Sequence, residues 1–192
     1  MIVTTRLPFL AAFLLERLGP ADEELIGDLV EEYQSGRSRV WIWYQVLVTV
    51  FHHVARTLRG HPGRAAVGLV LGWLGGAAWE YSFIWSIDYV SSLVEGPAVL
   101  AVWSVGSVLT NLAAGGLIGR VCRPFGLQIA IAYIISLVPF WLISGVYNAA
   151  SAPDGARGWV VLWVVGHFCA VSATVLVGAS LATGVPHQRS LR

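Results

Sequence analysis

Residues 63–87 read GRAAVGLVLGWLGGAAWEYSFIWSI. Beyond Arg64 the segment holds one charged side chain, Glu80, among small, aliphatic and aromatic residues. A helix needs about 20 mainly apolar residues to cross the hydrocarbon core of a bilayer, and this run, from about 65 to 87, is long enough. Three more runs of the same kind follow at about 97–119, 126–148 and 159–183. Gly96-Pro97, Pro124 and Pro153-Asp154-Gly155 separate them, and such residues end helices and start turns. Only 12% of the chain is charged, where a soluble domain has about 25%. Lipid rather than water must therefore solvate the apolar runs. The expected fold is all-α: a polytopic membrane protein with a four-helix transmembrane bundle over 65–183 and a short cytoplasmic tail, 184–192.

Upstream of Arg64 the character changes, and residues 1–64 read as a cytoplasmic and interfacial module of amphipathic helices. The first helix, 7–18, stops at Gly19-Pro20. Its opening LPFLAAFLL is superficially like the apolar part of a signal peptide, but Glu16 and Arg17 follow at once and no small-residue cleavage site comes after them. In the second helix Asp22, Glu23 and Glu24 fill the first turn, where negative charge complements the helix dipole. Leu25, Ile26, Leu29, Val30 and Tyr33 make its apolar face. Ser35-Gly36 ends it, and Ser38 is placed to cap a third helix at about 39–59. That helix starts with apolar and aromatic residues and turns basic at His52, His53, Arg56 and Arg59. Its apolar part is short for a span and suits a helix lying in the interface. Trp41, Trp43 and Tyr44 would sit at the headgroup level. The competing reading is a fifth span. Gly60-His61-Pro62-Gly63 reads as a turn.

Arginine placement predicts orientation. Arg56, Arg59 and Arg64 precede the first span, Arg120 and Arg123 lie between the second and third, and Arg189 and Arg192 lie in the tail. The first-to-second connection holds only Asp88 and Glu95, and the third-to-fourth holds Arg157 alone. The positive-inside rule then places both termini in the cytoplasm, which four spans satisfy and five do not. All 12 basic residues are arginine and the net charge is +1, which gives no argument for a nucleic-acid partner. Cys122 and Cys169 are expected in different environments, so neither a disulfide nor a metal site is expected of them.

Two features inside the spans bear on function. Gly68, Gly72 and Gly76 form a small-residue ridge in the first span, and Gly115 and Gly119 another in the second. Such ridges let helix backbones approach in lipid. Glu80 and His167 are polar residues at similar depth, roughly 10–12 Å below the outer edge at about 1.5 Å per residue. A carboxylate costs about 2.5–3.5 kcal/mol to insert, so Glu80 should face the interior and have a partner or a proton. A hydrogen bond to His167, joining the first and fourth spans, is the expected arrangement, and Tyr81, Asn111 and Ser144 would extend it. The functional reading of the pair is a proton relay or ligand site. His167 as a pigment or haem ligand is a further reading, though no second histidine lies at its depth to complete a bis-histidine haem. Seven tryptophans, Trp73, Trp79, Trp85, Trp103, Trp141, Trp159 and Trp163, fall in the spans. They read as an aromatic belt, or as the walls of a quinone or lipid site. No nucleophile elbow, phosphate loop, zinc spacing or dinucleotide fingerprint is present, so no catalytic residue and no enzymatic activity are expected.

Residues 13–47, FLLERLGPADEELIGDLVEEYQSGRSRVWIWYQVL, resemble the prefix segment that precedes the permease domain of some bacterial export-type transporters. Gly27, Asp28, Leu29, Glu31, Glu32, Tyr33, Trp43, Gln45, Val46 and Leu47 match its order. The chain is also similar in length to small four-span proteins of soil bacteria headed by this module. The large permease and long extracytoplasmic domain are lacking in this sequence, so the resemblance implies a cytoplasmic docking or regulatory module on a membrane anchor, in a bacterial inner membrane. The leading expectation is a non-enzymatic accessory or scaffold subunit whose partners are the bilayer and other membrane protein subunits. The alternatives are a small proton-coupled transporter using Glu80 and His167, and a pigment-, haem- or quinone-binding membrane protein.

Overall fold

The structure, a computed structural model, describes residues 8–18, 23–93, 97–153 and 155–183. Gly19-Pro20, Asp22, Glu95, Gly96, Asp154 and the tail 184–192 lie outside the described residues. Among those described the chain is all-helical: α1 (Phe9–Leu18), α2 (Glu23–Gln34), α3 (Arg39–Gly60), α4 (Pro62–Leu93), α5 (Pro97–Val121), α6 (Gly126–Ser151) and α7 (Arg157–Thr183), with no strand. It divides into two compact units, Met1–Pro62 and Gly63–Arg192.

In the N-terminal unit α1 and α2 both pack on α3. Ala11 and Leu15 of α1, Leu29 and Val30 of α2, and Ile42 and Val46 of α3 form its core. The α3 contribution follows a four-residue step, Ile42, Val46, Val50 and Val54, all buried, because residues four apart share a helix face. Gly36 lets the chain turn between α2 and α3: its φ is 101°, a left-handed conformation that glycine enters without a Cβ clash. Ser38 caps α3 as its position predicts, its Oγ accepting from Trp41 N at 3.2 Å. Across the same turn Arg37 pairs with Glu32 at 3.3 Å and lies over the Trp41 ring. The stretch 60–63 is tighter than the expected four-residue turn. Only His61 separates α3 from α4, since proline at a first helical position needs no N–H partner.

In the second unit four helices are long and apolar enough to cross a membrane: 62–86 within α4, 98–121 within α5, α6 and α7. Helix α3, at 22 residues, is long enough but is not one of them. Helix α4 runs on to Leu93, beyond the expected end near 87. α5 and α7 share the most extensive packing, and α6 packs on both. Glycine sets how close they come. A Cβ at Gly115 would run into the carbonyl of Val175, one at Gly119 would lie 2.6 Å from the carbonyl oxygen of Ala179, and one at Gly178 would meet the carbonyl of Leu112. Here backbone meets backbone, as the second-span ridge predicts. The α4 ridge works differently. Gly68 receives the Ile129 side chain, and a Cβ on Gly72 would lie 2.6 Å from the Tyr133 ring. Gly76 faces the Tyr133 hydroxyl. These glycines are notches for α6 side chains and do not bring two backbones together.

Candidate functional site

The polar interior of the bundle is built on one face of α5. Trp103, Ser107 and Asn111 recur at four-residue steps and so point the same way. Ser107, Asn111 and, from α7, His167 are all buried. His167 Nε2 lies 3.2 Å from Ser107 Oγ, within hydrogen-bond distance. Asn111 Nδ2 donates to the Ser107 carbonyl at 2.8 Å, and Tyr133 of α6 donates its hydroxyl to Asn111 Oδ1 at 3.4 Å. Glu80, half-buried on α4, accepts from Trp103 Nε1 at 3.1 Å.

Glu80 and His167 are therefore not bonded to each other. The expected hydrogen bond between the first and fourth spans is replaced by two attachments to the second. Equal depth left the direction around each helix axis open, and α5 supplies the residue between them. The Trp103 indole gives its N–H to Glu80 and its face to His167, with ring centroids 4.3 Å apart. Trp163 stacks on His167 at 5.5 Å, and Trp141 lies 5.1 Å from it at a tilt. Three indoles and a serine thus surround this imidazole. Its Nε2 is engaged by Ser107, and the indoles of Trp103 and Trp163 stack on it. Of the anticipated extensions, Asn111 joins the network. Tyr81 faces outward, and Ser144 bonds instead to Asn148 within α6.

The tryptophans also depart from a simple belt. Trp85 and Trp159 are exposed, whereas Trp79 lies against Gly106, and Trp103, Trp141 and Trp163 turn inward. The signal that could have located Trp103 was its four-residue register with Ser107 and Asn111.

A cavity of about 290 Å³ adjoins this network, lined among others by Glu80, Ser107, Asn111, Tyr133, Trp73 and Trp141. Trp73 is fixed there by its indole N–H, which donates to Ser136 Oγ at 3.1 Å, and by an edge-to-face contact with Tyr133.

At one end of the bundle Arg64 donates to the Arg123 carbonyl at 3.1 Å, and Arg123 bonds to the Ala182 carbonyl. In the N-terminal unit Trp41 and Trp43 are half-buried against the module's own core, while Tyr44 is exposed. Burial and the neighbouring Arg56 push the His53 imidazole below its usual value. Among the described residues no three histidine, cysteine, aspartate or glutamate side chains gather as metal ligands. Compared with protein-family models, curated proteins and solved structures, the chain matches none.

Proposed function

We propose that this chain is a non-enzymatic integral protein of a bacterial inner membrane, an accessory subunit that works through the faces of its helices within a larger membrane complex. The observation that carries the reading is how little lies between the candidate spans: residues 94–96, 122–125 and 152–156. Such connections have no room for a soluble domain, so apart from the N-terminal unit the surface is helix face. That face is rich in exposed aliphatic and aromatic side chains, such as Val70, Leu74, Leu142, Ile143 and Leu162, while Ser107, Asn111 and His167 point inward. Polar groups inside and apolar groups outside is the distribution a bilayer demands. Arg64, Arg120 and Arg123 fall at one end of the bundle, which on the positive-inside rule is the cytoplasmic end, with both termini on that side. The resemblance of residues 13–47 to a permease prefix supports a docking role for the N-terminal unit.

Purification of a tagged chain from its native membrane in mild detergent tests the proposal. A reproducible set of membrane partners is expected, and recovery of the chain alone would overturn the accessory role. The alternative, a small proton-coupled transporter using Glu80 and His167, has no direct bond between the two groups behind it: Glu80 is held by Trp103 and His167 by Ser107.

A further inference from the structure

We propose that the cavity beside Glu80 is a binding site for a hydrophobic organic cation that enters sideways from the bilayer. This rests on the membrane-spanning reading above but not on the accessory role. The exposed residues of its lining are Trp73, Ala77, Tyr81 and Ile84 on α4, the last two each 64% exposed, and Phe140 on α6, 53% exposed. They set the mouth between α4 and α6, on the side of the bundle that would face lipid. Gly76 and Ala77 keep that opening clear, because neither has a side chain long enough to fill it. The volume, about 290 Å³, is at the lower end of small-ligand pockets.

The lining selects charge as well as shape. Trp73, Phe140, Trp141 and Tyr133 give an aromatic wall, with Trp73 set edge-to-face against both Tyr133 and Phe140. Aromatic faces attract cations, and cages of them bind quaternary ammonium groups. At the end of that wall stands Glu80. Its Oε2 is held by Trp103, and among the described residues no donor reaches its other oxygen. A carboxyl group in a span is stabilised by a counter-charge, a donor or its own proton, and among the described residues the bundle offers Glu80 only one neutral N–H. A cation with an aromatic or short alkyl body satisfies both halves of the lining at once. A neutral apolar molecule fills the wall and leaves the carboxylate unmatched.

The full chain is reconstituted in phosphatidylglycerol vesicles, which contain no ammonium lipid, and titrated with benzyltriethylammonium by tryptophan fluorescence. Saturable binding is expected, at least about tenfold tighter than for the uncharged tert-butylbenzene, a difference of about 1.4 kcal/mol. Glu80→Gln should remove that preference. Ala77→Phe, at an exposed lining position, should abolish binding while leaving helicity unchanged, so the test stands even where Glu80→Gln fails to fold. Displacement of the probe by added phosphatidylcholine would assign the site to a lipid headgroup, and its failure would assign it to a free cation. Both outcomes keep the cation site. Equal binding of the uncharged analogue, or no binding by a well-folded protein, overturns it. Carbonate extraction of the same vesicles separates the two readings: release of the chain defeats membrane insertion, whereas retention without binding defeats only the cation site.

Discussion

Trp103 uses two parts of one indole, its N–H for Glu80 and its face for His167. Trp103→Phe separates them, because phenylalanine keeps an aromatic face and loses the donor. In a double-mutant cycle with Glu80→Leu, which leaves no acceptor, unfolded by titration with sodium dodecyl sulfate, the coupling should fall in the range of interhelical hydrogen bonds in membranes, about 0.6–1.7 kcal/mol. A coupling of zero would mean that the hydrogen bond contributes nothing. The glycines make a sharper residue-scale contrast. Gly115 faces the Val175 carbonyl, whereas a Cβ at Gly166 would meet nothing within 4 Å. Gly115→Val should therefore cost about 1–3 kcal/mol, as overpacking does, and Gly166→Ala should stay within about 0.5 kcal/mol. Both are read from the same detergent titration. The sequence marks Gly68 and Gly115 as equivalent small residues. It does not say that one meets a side chain and the other a carbonyl, because that depends on which helix lies opposite.

At the scale of elements, α3 is the helix whose role composition left most open. Its start is fixed locally: Ser38 satisfies an otherwise unpaired N–H of the first turn. Ser38→Ala should cost about 1 kcal/mol, seen as roughly fivefold faster hydrogen exchange in residues 39–43 with the rest of the chain unchanged. Its C-terminal half carries a pH dependence. The folded state holds His53 below its usual value through burial and Arg56, so the unfolded state binds the proton more readily. That contribution to stability is complete above the ordinary histidine value of about 6.5 and is lost as pH falls through the depressed folded value. After correction for intrinsic rates, hydrogen exchange in α3 should accelerate as pH is lowered from about 8 to 5. His53→Gln should flatten the response, and an unchanged slope in that variant would place its origin elsewhere. The four long helices were legible because each is a run of apolar residues closed by proline or glycine. Their exact ends were less so. α4 continues past Ile87 because polar residues there are compatible with a helix that no proline interrupts before Pro97.

For the whole molecule, the proposed topology is tested by reporter fusions at the two termini and at residues 94–96 and 152–156. The termini are expected to report cytoplasm and the two connections the opposite side, with the chain resisting carbonate extraction. A terminus reporting the outer side would reverse the orientation argument. Helical class and the number of helices able to span were set by composition alone, since whether a 20-residue segment prefers lipid is close to a sum over its own side chains. Glu80 and His167 also stood out unaided, as polar groups where polarity is costly. What they touch was a different matter. Depth along an axis follows from residue count, but the direction a side chain takes around that axis has meaning only once a neighbouring helix is placed beside it. Only the tertiary structure could put Trp103 between the two groups, set Tyr133 into the glycine notch of α4, and leave a cavity where Gly76 and Ala77 bring no side chain to fill it.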